Sequence, residues 1–237
     1  MSRLENARQE LRKYANPKKA RLLRRFFKTG PGEYAEGDIF LGVMVPLIRK
    51  IVKEFGDLPL SDLIKLLHSR IHEERLLALL LLVRRFSQSD AQSKERIYKA
   101  YLANTRFINN WDLVDLSAPS IVGGFLIDKN RKVLYGLAKS SLLWERRIAI
   151  LATFAFIRAG NFDDLFRIAK LLLGDKEDLI HKACGWMLRE AGKRNPAAEE
   201  KFLRKNCPAM PRTMLRYAIE KFPEKKRRSF LRVKTAG

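Results

Sequence analysis

Two cysteines, three histidines and a shortage of acid exclude more chemistry in this chain than any motif announces. Cys184 and Cys207 allow at most one bridge, so there is no disulfide framework and a reduced, cytosolic setting is expected. Three histidines leave few ways to build a Ser-His-Asp or Cys-His arrangement, and none is apparent. His68 and His72 stand four apart, but "LLHSRIHEERLL" reads as one helix ending and another starting, with no third ligand near. No metal site is expected. The longest apolar run, "LLALLLLV" at 76–83, is too short to cross a bilayer, and the opening "MSRLENARQELRKYANPKKA" lacks the apolar core of a secretory signal. The glycine-bearing "KTGPGEYAEGD" lacks the P-loop spacing, and Glu33, Glu36 and Asp38 would repel phosphate. It reads as a loop.

The shortage of acid is measured against base: 26 Asp and Glu stand beside 48 Lys and Arg, a formal net charge of +22. Such an excess predicts a polyanionic partner, through attraction to phosphates and release of their counterions. Nucleic acid fits best; an anionic membrane surface or an acidic protein also fits.

What is present is helix. "ARQELRKYA", "MVPLIRKIVKEF", "LSDLIKLLHSR", "EERLLALLLLVRRF" and "LLWERRIAILATFAFIRAG" carry apolar residues at helical spacing, separated by "FGDLP", "SQSDAQS", "AGNFDD" and "LGDKED". Five segments can be superposed: "ERLLALL" from Glu74, "NWDLVDL" from Asn110, "ERRIAIL" from Glu145, "HKACGWM" from His181 and "MLRYAIE" from Met214. Their starts lie 36, 35, 36 and 33 residues apart, and each has a short residue fifth: Ala78, Val114, Ala149, Gly185 and Ala218. A period of that length, filled by two helices, predicts an all-α, curved solenoid of stacked helical pairs with an extended groove on its concave face. One domain spanning 1–237 is expected, its last repeat capped by the basic "EKKRRSFLRVK".

The repeat breaks its own pattern in two places. At the sixth position Leu79, Ile150 and Ile219 alternate with Asp115 and Trp186, and at the second position Trp111 stands where Arg75, Arg146 and Lys182 are cationic. Trp111 and Asp115, four apart, share one helical face. A carboxylate at a core-like position is costly unless paired or facing a wet cleft. Each departure has a plain structural reading: Trp111 as packing, Asp115 as a capping or ion-pair partner, Trp186 as filler beside Gly185. Against this, Lys182, Trp186, Arg189 and Lys193 form one stripe of ring and cations, with Arg146 and Arg147 opening the helix one repeat earlier. That mixture suits a phosphate backbone with a sugar or base.

"NNWDLVD", "WERRIAIL", "KACGWMLREAGKRNP" and "FFKTGPGEYAEGDIFLGV" resemble the AlkD family of bacterial alkylpurine DNA glycosylases, built from HEAT-like repeats, from about Tyr14 to the C-terminal tail. The resemblance implies hydrolysis of the N-glycosidic bond of cationic N3- and N7-alkylated purines, such as 3-methyladenine and 7-methylguanine, in double-stranded DNA. It implies a lesion left stacked, with the sugar as the contacted group. It implies Trp111, Asp115 and Trp186 as the catalytic set, Arg147 lining the DNA cleft, and Arg189 and Lys193 as backbone-contacting cations; Lys182, on the same stripe, is a further DNA-binding candidate. Phe26 is a departure, since some members have Tyr there. No cofactor is implied, and a monomer in the bacterial cytoplasm, nucleoid-associated when DNA-bound, is expected. Two other functions remain open at this point: a catalytically silent member that binds distorted or branched DNA, and a HEAT-like scaffold for an acidic protein.

Overall fold

A computed structural model describes residues 1–233; Lys234, at the end of the basic tail, lies outside the described residues. Those residues form fourteen α-helices and no β-ladder beyond one isolated parallel bridge between Ile39 and Ile71. The chain folds as two compact units, Met1–Ile121 and a second from Val122 onward.

The first unit holds α1 (Arg3–Lys13), α2 (Pro17–Phe26), α3 (Val45–Glu54), α4 (Leu60–Leu67), α5 (His72–Gln88), α6 (Ala91–Ala103) and α7 (Trp111–Ala118). Side-chain oxygens start several of them, each accepting from an otherwise orphaned amide: Ser2 from Glu5, Asn16 from Lys19, Asp90 from Ser93 and Asn110 from Trp111. The centre is α5, against which α1, α3, α4, α6 and α7 pack. Its run Leu76–Leu82 is wholly buried, so the apolar "LLALLLLV" is a helix with neighbours on every side.

The second unit holds α8 (Lys132–Leu137), α9 (Leu143–Arg158), α10 (Asp163–Leu171), α11 (Asp178–Gly192), α12 (Pro196–Asn206), α13 (Arg212–Ala218) and α14 (Glu224–Leu231). Here α11 is the hub, packed on α9, α10, α12 and α13. Cys184 and Cys207 are both buried and free. In α14 Phe230 is buried, and Arg212 donates to the carbonyls of Leu231 and Val233, tying down the end of the described chain.

The five superposed segments fall on alternate helices, α5, α7, α9, α11 and α13, with one further helix after each. Their fifth residues are all buried. At Gly185 the reason is explicit: a Cβ there would sit 2.5 Å from the Met214 carbonyl oxygen and the Tyr217 Cβ, so only glycine lets α11 and α13 approach this closely. The second-position arginines share a structural task as well. Arg75 donates to the carbonyl of Ser69 and Arg146 to that of Ser140, each six residues back, while pairing with Asp38 and Asp175 respectively.

Candidate nucleic-acid and catalytic site

Of the residues singled out by sequence, Trp111 and Asp115 belong to the first unit, and Arg147, Lys182, Trp186, Arg189 and Lys193 to the second. Trp111 opens α7 and is half-buried. Its indole stacks on Phe27 at 5.2 Å between centroids and meets the edge of Phe26 at 5.8 Å. Phe27 stacks in turn on Phe40 at 5.2 Å, and Phe40 on the His72 imidazole at 4.5 Å. Offset stacks of this kind fix ring orientation as well as burying area.

The column closes on itself through charge. His72 Nε2 lies 2.8 Å from Asp112 Oδ2, and Asp112 is the residue after Trp111. On its other side His72 Nδ1 is 3.5 Å from Asp38 Oδ2, and Asp38 also accepts from Arg75 Nη2 at 2.5 Å and from Asn109 Nδ2 at 3.3 Å. All of these groups except Asn109 are buried. Burial pushes the His72 pKa down, but the carboxylates of Asp112 and Asp38 outweigh it and leave the imidazole more basic than usual. Burial likewise pushes Asp38 up, and His72, Arg75 and Asn109 together hold it below the ordinary carboxylate range. His72 is thus clasped between two carboxylates beneath the ring stack, both of which favour its protonated form.

The segment before α3 explains how Phe40 reaches that stack. Ile39 N–H donates to the Arg70 carbonyl and His72 N–H to the Ile39 carbonyl, at 3.1 and 2.9 Å. The buried Glu73 carboxylate accepts from the backbone N–H groups of Leu41, Gly42 and Val43. Gly42 has φ +84°, and any Cβ would collide with the Asn16 carbonyl and the Ala20 amide of α2. Neighbouring Glu74, also buried, receives Arg8 and Arg12 from α1 at 3.2 and 3.3 Å. The 28–42 stretch is therefore the tie that carries Phe40 beneath Phe27 and Trp111.

Asp115 is half-buried, one turn beyond Trp111 on the same side of α7. Its charge reaches the buried Tyr101 hydroxyl, which lies 2.9 Å from Ser117 Oγ. Burial first, with the Asp115 charge adding to it, pushes the Tyr101 pKa up, so this phenol stays neutral beside the acid. Beside the stack, a cleft of about 170 Å³ is lined by Phe26, Phe27, Phe40, Met44, His72 and Asp112.

In the second unit, half-buried Trp186 donates Nε1–H to Glu190 Oε1 at 3.2 Å and lies 6.2 Å from the Phe154 ring. Lys193 Nζ meets the same Glu190 oxygen at 2.6 Å. Lys182 pairs with Asp178 at 2.6 Å, and Arg189 pairs with Glu220. Arg147 is only 5% exposed and donates to the Leu179 carbonyl. The stripe that reads in the sequence as ring and cations is thus a stripe of matched ion pairs. Sequence reasoning misses Phe27, Phe40, Asp38, Asp112 and Glu190, and treats His72 only as a possible metal ligand. The signal available is the second acid of "NWDLVDL", three residues before Asp115.

Among the described residues no group of three or more His, Cys, Asp or Glu is placed to hold a metal ion, and no helix is long and apolar enough to cross a membrane. No curated protein matches the sequence. A solved structure described as a predicted DNA alkylation repair enzyme from Enterococcus faecalis matches with a TM-score of 0.67 at 18% identity, over 89% of this chain and 97% of that one, which is a likeness of fold. The family model described as DNA alkylation repair enzyme matches residues 7–222, and the chain belongs to that family.

Proposed function

We propose that this chain is a monofunctional DNA N-glycosylase that releases cationic N3- and N7-alkylated purines from double-stranded DNA. The observation that carries the proposal is the pairing of Trp111 and Asp115 on one face of α7, the indole held by an aromatic column whose far end is an ion-paired histidine. A plain packing role for Trp111 needs no carboxylate one turn away.

The chemistry suits those groups. An alkylated purine already carries positive charge, so it departs without strong acid catalysis. As the N-glycosidic bond lengthens, positive charge builds on the deoxyribose, as in other glycoside hydrolyses. An ionised Asp115 stabilises that charge and orients the attacking water. The indole face of Trp111 attracts the cationic sugar by about 0.5–2 kcal/mol. The lesion remains stacked in this scheme and the sugar is the group that is gripped. A lyase step would need an activated amine. Lys182, the nearest candidate by sequence, is an ammonium paired with Asp178. Arg189 and Lys193 serve the duplex backbone after exchanging Glu220 and Glu190 for phosphate.

The test is incubation with N-methylated duplex followed by detection of free 7-methylguanine or 3-methyladenine. Release well above the uncatalysed rate is expected. Tight duplex binding with no release would replace the enzyme by a silent DNA-binding member of the family.

A further inference from the structure

The cations chosen from sequence in the second unit are engaged within the protein, whereas those of α2 have no such partner among the described residues. This helix, "PKKARLLRRF", contains Lys18, Lys19, Arg21, Arg24 and Arg25 and no acid. All five are exposed, and none has a side-chain hydrogen bond or ion pair among the described residues. Two of them, Lys18 and Lys19, follow directly on Pro17 in the first turn, where the helix dipole already presents positive charge. Cations there are unfavourable by about 0.3–1 kcal/mol unless an external anion offsets them.

Helical spacing arranges the exposed face. Leu22 and Phe26, four apart and 65% and 63% exposed, form a central apolar ridge. Lys18, Arg21 and Arg25 run along one side of it and Lys19 along the other. Between Lys19, Leu22, Phe26 and Met44 lies an apolar trough of about 400 Å³. The inward face, Ala20, Leu23 and Phe27, packs with Phe40 and Trp111.

We infer that α2 is a duplex-gripping element: its cations hold the phosphates that flank the sugar over Trp111, and the Leu22–Phe26 ridge with Met44 lies against the apolar edge of the same backbone. This rests on the DNA-repair reading above. The partner is a phosphate backbone on charge complementarity, and because the ridge has only two apolar side chains it is too narrow to anchor in lipid. A ten-residue helix is about 15 Å long, enough to follow successive phosphates. Since Phe26 and Phe27 touch the Trp111 ring, a backbone held by α2 is registered directly on the candidate site.

The experiment compares the triple variant K18Q/R21Q/R25Q with the unsubstituted chain in binding undamaged duplex DNA across a salt series. All three positions are exposed, so the unfolding temperature should be unchanged. Affinity is expected to fall about tenfold or more at ~0.1 M salt, and the slope of log affinity against log salt to shrink by about three. The charge-retaining K18R/R21K/R25K should keep both. Unchanged affinity and slope would overturn the inference. So would a triple variant that loses binding to anionic vesicles but not to duplex. Undamaged DNA needs no catalysis, so a chain that binds through α2 yet releases no base would defeat the glycosylase reading and leave this one standing.

Discussion

His72 Nε2 lies 2.8 Å from Asp112 Oδ2 while its ring stacks 4.5 Å from Phe40, so one buried imidazole joins the starts of α5 and α7 to the segment beneath Trp111. Removing one partner from a buried charge pair leaves the other uncompensated, which costs about 3–5 kcal/mol. His72→Gln should therefore lower the unfolding free energy by about 3 kcal/mol near pH 6, measured by urea denaturation.

The same pair makes that loss depend on pH. The folded state holds the His72 proton more tightly than the unfolded chain, whose pKa is about 6.5. The contribution is complete below about pH 6.5 and disappears as pH rises through the raised folded value. The stability gap between the unsubstituted chain and His72→Gln should accordingly narrow in alkaline buffer. A gap constant from pH 6 to pH 10 would show that the imidazole is neutral.

Glu199 shifts stability with pH in the same direction, but as a penalty that grows and not as a benefit that is lost. Its carboxyl is buried, with Oε1 lacking a partner, and burial pushes its pKa up to about 8 against the pull of Lys226 and Arg189. Between the unfolded value near 4.5 and that folded value, the native state keeps a proton the unfolded chain has released. Stability from this group falls with rising pH across that window. Glu199→Gln should therefore be close to neutral at pH 4.5 and stabilising by about 2–4 kcal/mol at pH 8, read from unfolding curves at the two pH values.

Gly42 and Gly32 separate backbone strain from crowding. Both have positive φ, +84° and +74°, but a Cβ at Gly32 meets nothing within 4 Å whereas one at Gly42 strikes the Asn16 carbonyl. Gly32→Ala should cost about 1 kcal/mol and Gly42→Ala at least about 2–3 kcal/mol, by chemical denaturation. Equal losses would mean that the approach of the 39–43 segment to α2 is not tight.

Asp115→Asn tests the proposed chemistry. It should reduce single-turnover release of 7-methylguanine by about 100-fold or more while leaving duplex affinity within about twofold, because a neutral amide cannot stabilise a developing cation. Loss of binding in step with turnover would assign Asp115 to structure.

The helical pairs are legible in the sequence because a repeat must bury the same face each time: the superposed segments from Glu74 to Met214 land on alternate helices, and Gly185 occupies the close contact its register implies. The charged residues are not legible in the same way. Glu73, Glu74 and Arg75 are charged residues in the first turn of α5, yet all three are buried, because their partners arrive from α1, from the 38–43 segment and from the loop before α5. The partners of Lys193 and Lys182 are local, but acids at spacings of three and four escape notice when only the cations of a stripe are counted. Asp112 is hidden beside Asp115 for a similar reason: the residue that claims it, His72, lies forty positions away.

Three consecutive amides, those of Leu41, Gly42 and Val43, end on the single carboxylate of Glu73. The conformation of this stretch is consequently dictated from a distant turn of α5 and not by any regular pattern of its own. The exposed Pro31 and Gly32 at the loop's tip lie outside that anchorage, so the tip is freer to diversify in evolution than the part that cradles the rings.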